Sequence, residues 1–156
     1  MTLEAFNAAP AEQAGAAMLA CCASRRFAAA LAAGRPYDST AAAERAVNRV
    51  FATLTWPDVL EALDEHPRIG ARVAGTSAAE QSGVTDDSRA ELAAGNAAYE
   101  QRFGYVFLIC ASGLSGEQML GALRQRLAHD EAAERAVTIG ELRKITLLRM
   151  RKALAA

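Results

Sequence analysis

The segment Glu65-His66-Pro67-Arg68-Ile69-Gly70 interrupts a chain that otherwise has the pattern of alanine-rich helices. Pro67 disfavours helical geometry at the residue before it and has no backbone N–H to donate, so the preceding helix is predicted to end near Glu65 or His66. His66 is therefore expected at a helix exit, in an extended conformation whose movement Pro67 limits. Residues 68–76 contain two glycines and predict a loop.

A second short segment follows this loop. Residues 77–80, Ser-Ala-Ala-Glu, match the capping-box pattern, which predicts Ser77 as the N-cap of a short helix with Glu80 in its first turn. Gly83 is expected to end that helix. A capped helix start also presents free backbone N–H groups to an anion.

Helical patterns extend outward on both sides. Upstream, Ser24 is a predicted N-cap, and Asp38-Ser39 is predicted to cap the helix after it. Downstream, a helix is expected to run to Phe103, with Gly104 just beyond its end. The apolar run 105–110 has no partner strand in the sequence, so we expect a buried extended segment. These patterns predict an all-α bundle of seven or eight helices, forming a single domain over 1–156.

Composition and charge disfavour several classes of protein. The 156 residues carry a net charge of −1, so no whole-chain field favours nucleic acid or an anionic membrane. No apolar run is long enough for a transmembrane helix, and the first ten residues lack the basic region of a signal peptide. Three cysteines, two of them adjacent, argue against a disulfide framework. The simplest expectation is a reduced, cytoplasmic protein.

His66 and Glu80 are the candidate acid–base residues. His66 is one of two histidines and has an intrinsic pKa suited to general acid or base work, although a histidine at a helix end also interacts favourably with the helix dipole. Glu80 can orient His66, deprotonate it or meet a substrate. The capping box alone also explains Ser77 and Glu80, and is the reading that spacing alone favours.

Arg149 lies on or beside the apolar stripe of the last helix. Pointing inward, it would need an anionic partner such as a carboxylate; at the edge of the stripe, its guanidinium would extend to solvent. The basic cluster around it, formed with Arg143, Lys144, Arg151 and Lys152, contains no helix-turn-helix signature, which disfavours DNA binding. Two histidines 63 residues apart, with no Cys-x-x-Cys, give no spacing for a metal site. Phosphate-loop and nucleophile-elbow motifs are absent from the sequence.

Seven motifs in chain order carry a family resemblance. They are Cys21-Cys22-Ala23-Ser24, Arg35-Pro36-Tyr37, His66-Pro67-Arg68-Ile69-Gly70, Ser77-x-x-Glu80-Gln81, Asn96-x-x-Tyr99-Glu100-x-x-Phe103-Gly104-Tyr105-x-Phe107-x-Ile109-Cys110, Glu134-Arg135, and Lys144-Ile145-x-x-x-Arg149-Met150. Together they cover nearly the whole chain and closely resemble the OHCU decarboxylases, which act on 2-oxo-4-hydroxy-4-carboxy-5-ureidoimidazoline. The combination is specific, whereas a single piece such as His-Pro is not.

The resemblance implies an all-α enzyme that needs no cofactor, usually forms a homodimer, and converts this ureidoimidazoline to (S)-allantoin and CO2 in urate degradation. It implies His66 as catalytic acid/base and Glu80 as its acidic companion. The substrate pocket implied by the resemblance consists of Pro67, Ser77, Ala78, Ala79, Glu80, Gln81, Ile109, Cys110, Ala111, Ser112, Gly113 and Arg149, the last for an anionic part of the substrate.

The sequence departs from the family pattern in two places. Ala78 and Ala79 supply no polar side chain, and Ser112-Gly113 lies where relatives often have a basic residue, so contacts there would come from the backbone. Three other functions stay open: a non-catalytic helical interaction module, a nucleic-acid-binding regulator that uses the basic last helix, and a related ureide-processing lyase or hydrolase.

Overall fold

The computed structural model describes residues 1–71 and 75–155, without the side chains of residues 75 and 76. These residues form helices and no strand, which confirms the all-α prediction. The helices are α1 (Leu3–Ala8), α2 (Ala11–Cys21), α3 (Arg25–Ala33), α4 (Thr40–Phe51), α5 (Trp56–Leu63), α6 (Gly75–Glu80), α7 (Asp86–Phe103), α8 (Gly116–Leu127) and α9 (Glu131–Ala153). No helix within the described ranges is long and apolar enough to cross a membrane.

The predicted helix ends that depend on local capping are confirmed. The hydroxyls of Ser24 and Ser39 accept hydrogen bonds from the backbone N–H groups three residues on, at the starts of α3 and α4. Gly104 ends α7 with a left-handed φ of 82°, and its N–H donates to the Glu100 carbonyl. The run 105–110 is neither helix nor strand, and Phe107, Leu108 and Ile109 within it are buried, as expected.

Two details differ from the prediction. The described residues form nine helices rather than seven or eight, in part because the short opening segment 3–8 is itself helical, capped by Thr2. The capping-box assignment of Ser77 is wrong: α6 already begins at Gly75, so Ser77 lies inside it and Glu80 is its last residue. The Ser77 carbonyl accepts the Gln81 N–H at 3.0 Å, which is a helical bond. The predicted loop 68–76 falls partly on residues 72–74, which lie outside the described residues.

The chain divides into two compact units, Met1–Ala62 with Leu142–Ala156, and Leu63–Glu141. The expectation of one domain over 1–156 stays a prediction. In the first unit, α3 packs against both α2 and α4. Arg35 ties the end of α1 to the loop after α3, because its Nη1 donates to the Phe6 and Ala9 carbonyls at 2.7 Å.

The second unit is built around an aromatic and aliphatic core. Tyr99 on α7 lies at its centre, with the Phe103, Tyr105 and Phe107 rings within 4.7–5.8 Å of it, centroid to centroid. Leu92 of α7 and Met119, Leu120 and Leu123 of α8 also belong to the core, together with Ile69 and Ile109. Two non-helical stretches of this unit, the loop after α5 and the run 105–110, therefore each send an isoleucine into the same core.

A buried carboxylate links α7, α8 and α9 within this unit. Glu134 is fully buried; its Oε1 accepts from Tyr99 Oη at 2.6 Å and from Arg126 Nε at 2.7 Å, while its Oε2 lies 3.0 Å from His129 Nδ1. Arg126 Nη1 donates to the Leu108 carbonyl, and its guanidinium lies 4.6 Å from the Phe107 ring centroid. Burial, together with the neighbouring Glu134, raises the pKa of Tyr99 and keeps its phenol protonated.

We predict that Glu134→Gln lowers the free energy of unfolding by about 3 kcal/mol or more, because it leaves the buried Arg126 cation without its counter-charge. Chemical denaturation followed by circular dichroism measures the change. The matched control is Glu131→Gln on the same helix, which removes an exposed pair with Arg135 and is expected to cost less than about 0.5 kcal/mol. Equal losses in the two variants would contradict a dominant role for the buried pair.

Glycine substitutions test the close approach between the turn after α6 and the start of α8. A Cβ at Gly83 would overlap the Leu114 carbonyl oxygen, whereas a Cβ at Gly121 on α8 meets nothing within 4 Å. We expect Gly83→Ala to lower the free energy of unfolding by about 1–3 kcal/mol and Gly121→Ala to raise it by up to about 1 kcal/mol. The two denaturation midpoints should move in opposite directions; a neutral Gly83→Ala would show that this backbone contact can relax.

Candidate active site

The loop that carries His66 begins directly after α5 ends at Leu63. The His66 N–H donates to the Leu63 carbonyl at 3.0 Å, closing a turn that Pro67 prevents from continuing as helix. The Ala71 N–H donates to the Arg68 carbonyl at 3.1 Å in a second turn. His66 and Pro67 are half-buried, so both residues are partly enclosed by the protein and partly accessible.

Side chains from outside the loop satisfy its buried backbone groups. Asn96 Nδ2 on α7 donates to the Ile69 carbonyl at 2.6 Å, and Arg89 Nη1, also on α7, donates to the Gly70 carbonyl at 2.5 Å. The Gly70 N–H donates to Gln81 Oε1 at 3.0 Å. Three backbone groups in two consecutive residues are thereby fixed in the described structure, and the loop gains the backbone hydrogen bonds that a helix would otherwise supply.

Two further features hold the same loop. Arg68 Nε lies 3.1 Å from both carboxylate oxygens of Glu100, in an exposed ion pair. Gly70 has a φ of 87°, a left-handed conformation that favours glycine. A Cβ at this position would also lie only 3.2 Å from Leu92 Cβ, so a larger residue would be crowded. The loop after His66 is thus restrained along its described length.

Gln81 joins the His66 loop to the end of α6. Glu80 and Gln81 are both buried, at 9% exposure, although no apolar pattern surrounds them in the sequence. Because Gln81 Oε1 accepts a backbone N–H, the orientation of its amide is fixed by chemistry, and its Nε2 is the group left to donate to other partners. Ser77 and Ala78 are half-buried, and Ala79 is exposed.

The predicted pocket segment 109–113 belongs to the same unit. Ile109 and Ala111 are buried, Cys110 and Ser112 are half-buried, and Gly113 has a φ of 80°. The Cys110 N–H donates to Glu141 Oε1 at 3.2 Å. This N–H is therefore already engaged and is not free to stabilise negative charge on a ligand.

Arg149 lies in the first unit, on the part of α9 that follows Leu142, and is half-buried. Its positive charge acts to lower the pKa of Cys21 and Cys22, but burial dominates and raises the pKa of Cys21 to about 11. Both thiols are thus protonated near neutral pH, which disfavours a catalytic cysteine there. Two other cations of the basic cluster are paired in this unit, Arg151 with Glu44 and Arg143 with Asn48.

Other site types find little support within the described ranges. No group of three or more His, Cys, Asp or Glu side chains there is arranged to hold a metal ion. The first unit has a groove of about 600 Å³ between α2 and α3, but its lining is mostly alanine, with Glu12 and Arg25 as its charged residues. None of the predicted site residues lines this groove.

Sequence reasoning missed the residues that hold the loop. Asn96 and Arg89 were not predicted to contact it, and Arg126 was not predicted to be buried. One signal was available for Asn96, since a polar side chain lies between Leu92 and Tyr99 on the inward face of α7. A buried amide in such a position has to bond to something.

A family model and individual relatives both relate this chain to the same family. The family model described as OHCU decarboxylase matches residues 7–151. The chain is 35% identical over 144 residues to the uric acid degradation bifunctional protein TTL of Arabidopsis thaliana, which covers 85% of this chain and 44% of that protein. It is 27% identical to a 2-oxo-4-hydroxy-4-carboxy-5-ureidoimidazoline decarboxylase of Haloferax volcanii, over 74% of this chain and 73% of that protein. The chain spans less than half the length of the first of these relatives.

Solved structures agree with this assignment. The chain superposes with a TM-score of 0.82 and 30% identity on a crystal structure of OHCU decarboxylase in the presence of (S)-allantoin, covering 95% of this chain and all of that one. A crystal structure of (S)-allantoin synthase has the same fold at a TM-score of 0.75 and 19% identity. With the family model matched from residue 7 to residue 151, the chain belongs to the OHCU decarboxylase family.

Proposed function

We propose that this protein decarboxylates 2-oxo-4-hydroxy-4-carboxy-5-ureidoimidazoline to (S)-allantoin and CO2 in urate degradation, without a cofactor. The observation that carries the proposal is the restrained His66 loop, whose Ile69 and Gly70 are bonded by Asn96, Arg89 and Gln81, in a chain of this family. A half-buried histidine on a rigid loop is suited to transferring a proton to one face of a bound molecule.

The reaction places clear demands on the site. The bond between the ring carbon and its carboxylate breaks, CO2 leaves, and the electron pair remains on a carbon conjugated to a carbonyl until a proton is added to that carbon. His66 is proposed as the acid/base, acting on the 4-hydroxyl, on the carboxylate or on the carbon itself, with Glu80 as its acidic companion. Donors near the carbonyl would stabilise the enolate-like charge.

Gln81 and Arg149 are the proposed polar contacts to the substrate. With its carbonyl bound to the Gly70 N–H, Gln81 offers only N–H donors, which suit a carbonyl or carboxylate oxygen of the ligand. Arg149 would bind an anionic part of the substrate through its guanidinium. Pro67 and the segments 77–80 and 109–113 would form the rest of the pocket.

We also propose a cytoplasmic homodimer in which each chain forms one domain.

We predict that His66→Asn abolishes decarboxylation while the far-ultraviolet circular dichroism spectrum stays helical, because the proton-transfer group is lost and its half-buried position accepts an amide. Substrate is generated from urate by urate oxidase and hydroxyisourate hydrolase, and formation of (S)-allantoin is followed by circular dichroism. The control is His129→Asn, which changes the other histidine and is expected to retain turnover. Full activity in His66→Asn would rule out His66 as the acid/base.

We predict that Arg149→Gln raises KM for this substrate at least about tenfold, because a charge-assisted contact to an anion is removed. Arg151→Gln on the same helix is the control, since Arg151 is paired with Glu44 at 2.7 Å and has no proposed contact to substrate. Steady-state kinetics of the two variants would separate the roles. Equal KM values in both variants and the unaltered protein would remove Arg149 from the substrate site.

The same assay decides between the remaining alternatives. Decay of the substrate at the rate of the buffer control, giving racemic product, would reject the decarboxylase and favour a helical interaction module. A nucleic-acid regulator is the less favoured alternative because Arg143 and Arg151 are bonded within their own unit. Such a regulator would show salt-dependent DNA binding that neutralising Arg143 and Lys144 removes.

A further inference from the structure

Three side chains of α7 contact the His66 loop and lie along one face of that helix. Arg89 bonds the Gly70 carbonyl, Asn96 bonds the Ile69 carbonyl, and Glu100 pairs with Arg68. Their spacing of seven and then four residues places them within roughly 40° of one another around the helix axis. One face of α7 therefore holds the loop after His66 through these three side-chain contacts.

Asn96 is the buried member of this face. It is 2% exposed, and its Nδ2 lies 2.6 Å from the Ile69 carbonyl, whereas Arg68 in the Glu100 pair is mostly exposed. Its Oδ1 is also buried and has no hydrogen-bond partner among the described residues. A buried amide that makes one of its four possible hydrogen bonds is a poor choice for stability alone, because an unpaired buried acceptor is unfavourable. Its presence indicates that the single bond it makes to the loop matters.

We propose that Asn96 is a positioning residue for catalysis: through its bond to the Ile69 carbonyl it sets the direction in which His66 points. This inference rests on the proposed function of His66. Ile69 is three residues beyond His66, and Pro67 lies between them with a fixed φ, so little freedom is left to absorb a shift. Gly70, immediately after, is held on both its N–H and its carbonyl by Gln81 and Arg89. A displaced Ile69 carbonyl therefore moves the histidine.

The kinetic test compares Asn96→Ala and Asn96→Asp with the unaltered protein. Both are expected to lower kcat at least about tenfold, because catalytic geometry tolerates little displacement, with KM changed less than about threefold. Ser88→Ala is the control: it removes a buried hydroxyl in the capping box of α7 and thus weakens the same helix without touching the loop. Its kcat is expected to stay within about twofold of the unaltered protein.

The Asn96→Asp variant adds a signature that a loss of stability would not produce. An ionised carboxylate cannot donate to the Ile69 carbonyl, whereas the protonated acid can. Burial raises the pKa of such a carboxyl, although the Arg89 guanidinium bound to the next carbonyl acts in the opposite direction. The kcat of Asn96→Asp relative to the unaltered protein should therefore rise as pH falls from about 8 to about 5, and that of Asn96→Ala should not.

A second readout needs no turnover, so it separates this inference from the proposed function. The chain has only two histidines, so the ring resonances of His66 and His129 can be assigned by substituting either one. In Asn96→Ala we expect the His66 resonance to shift or broaden, His129 to change less, and the amides of His66 and of residues 68–71 to exchange faster with deuterium. An unchanged His66 resonance together with unchanged exchange would overturn the proposal, whether or not the protein is a decarboxylase. So would a kcat loss no larger than that of Ser88→Ala.

Discussion

A fully buried carboxylate has to be satisfied on both oxygens, and in the second unit that requirement organises three helices. One oxygen of Glu134 on α9 accepts hydrogen bonds from Tyr99 of α7 and Arg126 of α8, and the other oxygen contacts His129. An ion pair at this depth need not add net stability compared with an apolar core, but it fixes which groups meet. Arg126 uses a remaining donor on the Leu108 carbonyl, so the packing of the helices is coupled to a stretch of chain that is not helical.

That coupling addresses a problem particular to this chain. The run 105–110 is apolar and enters the core, yet the described residues contain no strand with which it can pair. Buried backbone groups have to be satisfied all the same. Arg126 supplies a donor for the Leu108 carbonyl, and Glu141 supplies an acceptor for the Cys110 N–H. The loop after His66 uses the same solution with Asn96, Arg89 and Gln81. In both places, side chains on helices, or directly after one in the case of Gln81, replace the hydrogen bonds of a sheet.

This arrangement explains which parts of the structure were predictable from sequence. The ends marked by Ser24, Ser39 and Gly104 depend on residues within one turn, so the local pattern determines them. The Ser-x-x-Glu pattern at Ser77 is local too, but it fits a helix interior as well as a helix start, and here the helix began two residues earlier. The bonds that hold the loops join residues far apart, 27 positions for Asn96 and Ile69 and 18 for Arg126 and Leu108. No single-sequence pattern encodes such pairs. His66 could be chosen as a candidate because the chain has only two histidines and this one precedes proline; its catalytic role stays a prediction.

The same hydrogen bonds limit how the proposed site can handle charge. The Cys110 N–H is bound to Glu141, and Gly70 has both of its backbone groups engaged, so these backbone positions have no donor left for an oxyanion. Under the proposed function, stabilisation of the charge that develops during decarboxylation falls on side-chain donors such as Gln81 Nε2 and on whatever backbone N–H groups α6 leaves free in its first turn. The hydrogen bonds that hold these backbone groups in place also use up their donors, so the proposed chemistry would depend on a few side-chain donors. Under the proposed function, substitutions at Gln81 would therefore change two things together, the proposed donor to the substrate and the observed bond that holds Gly70.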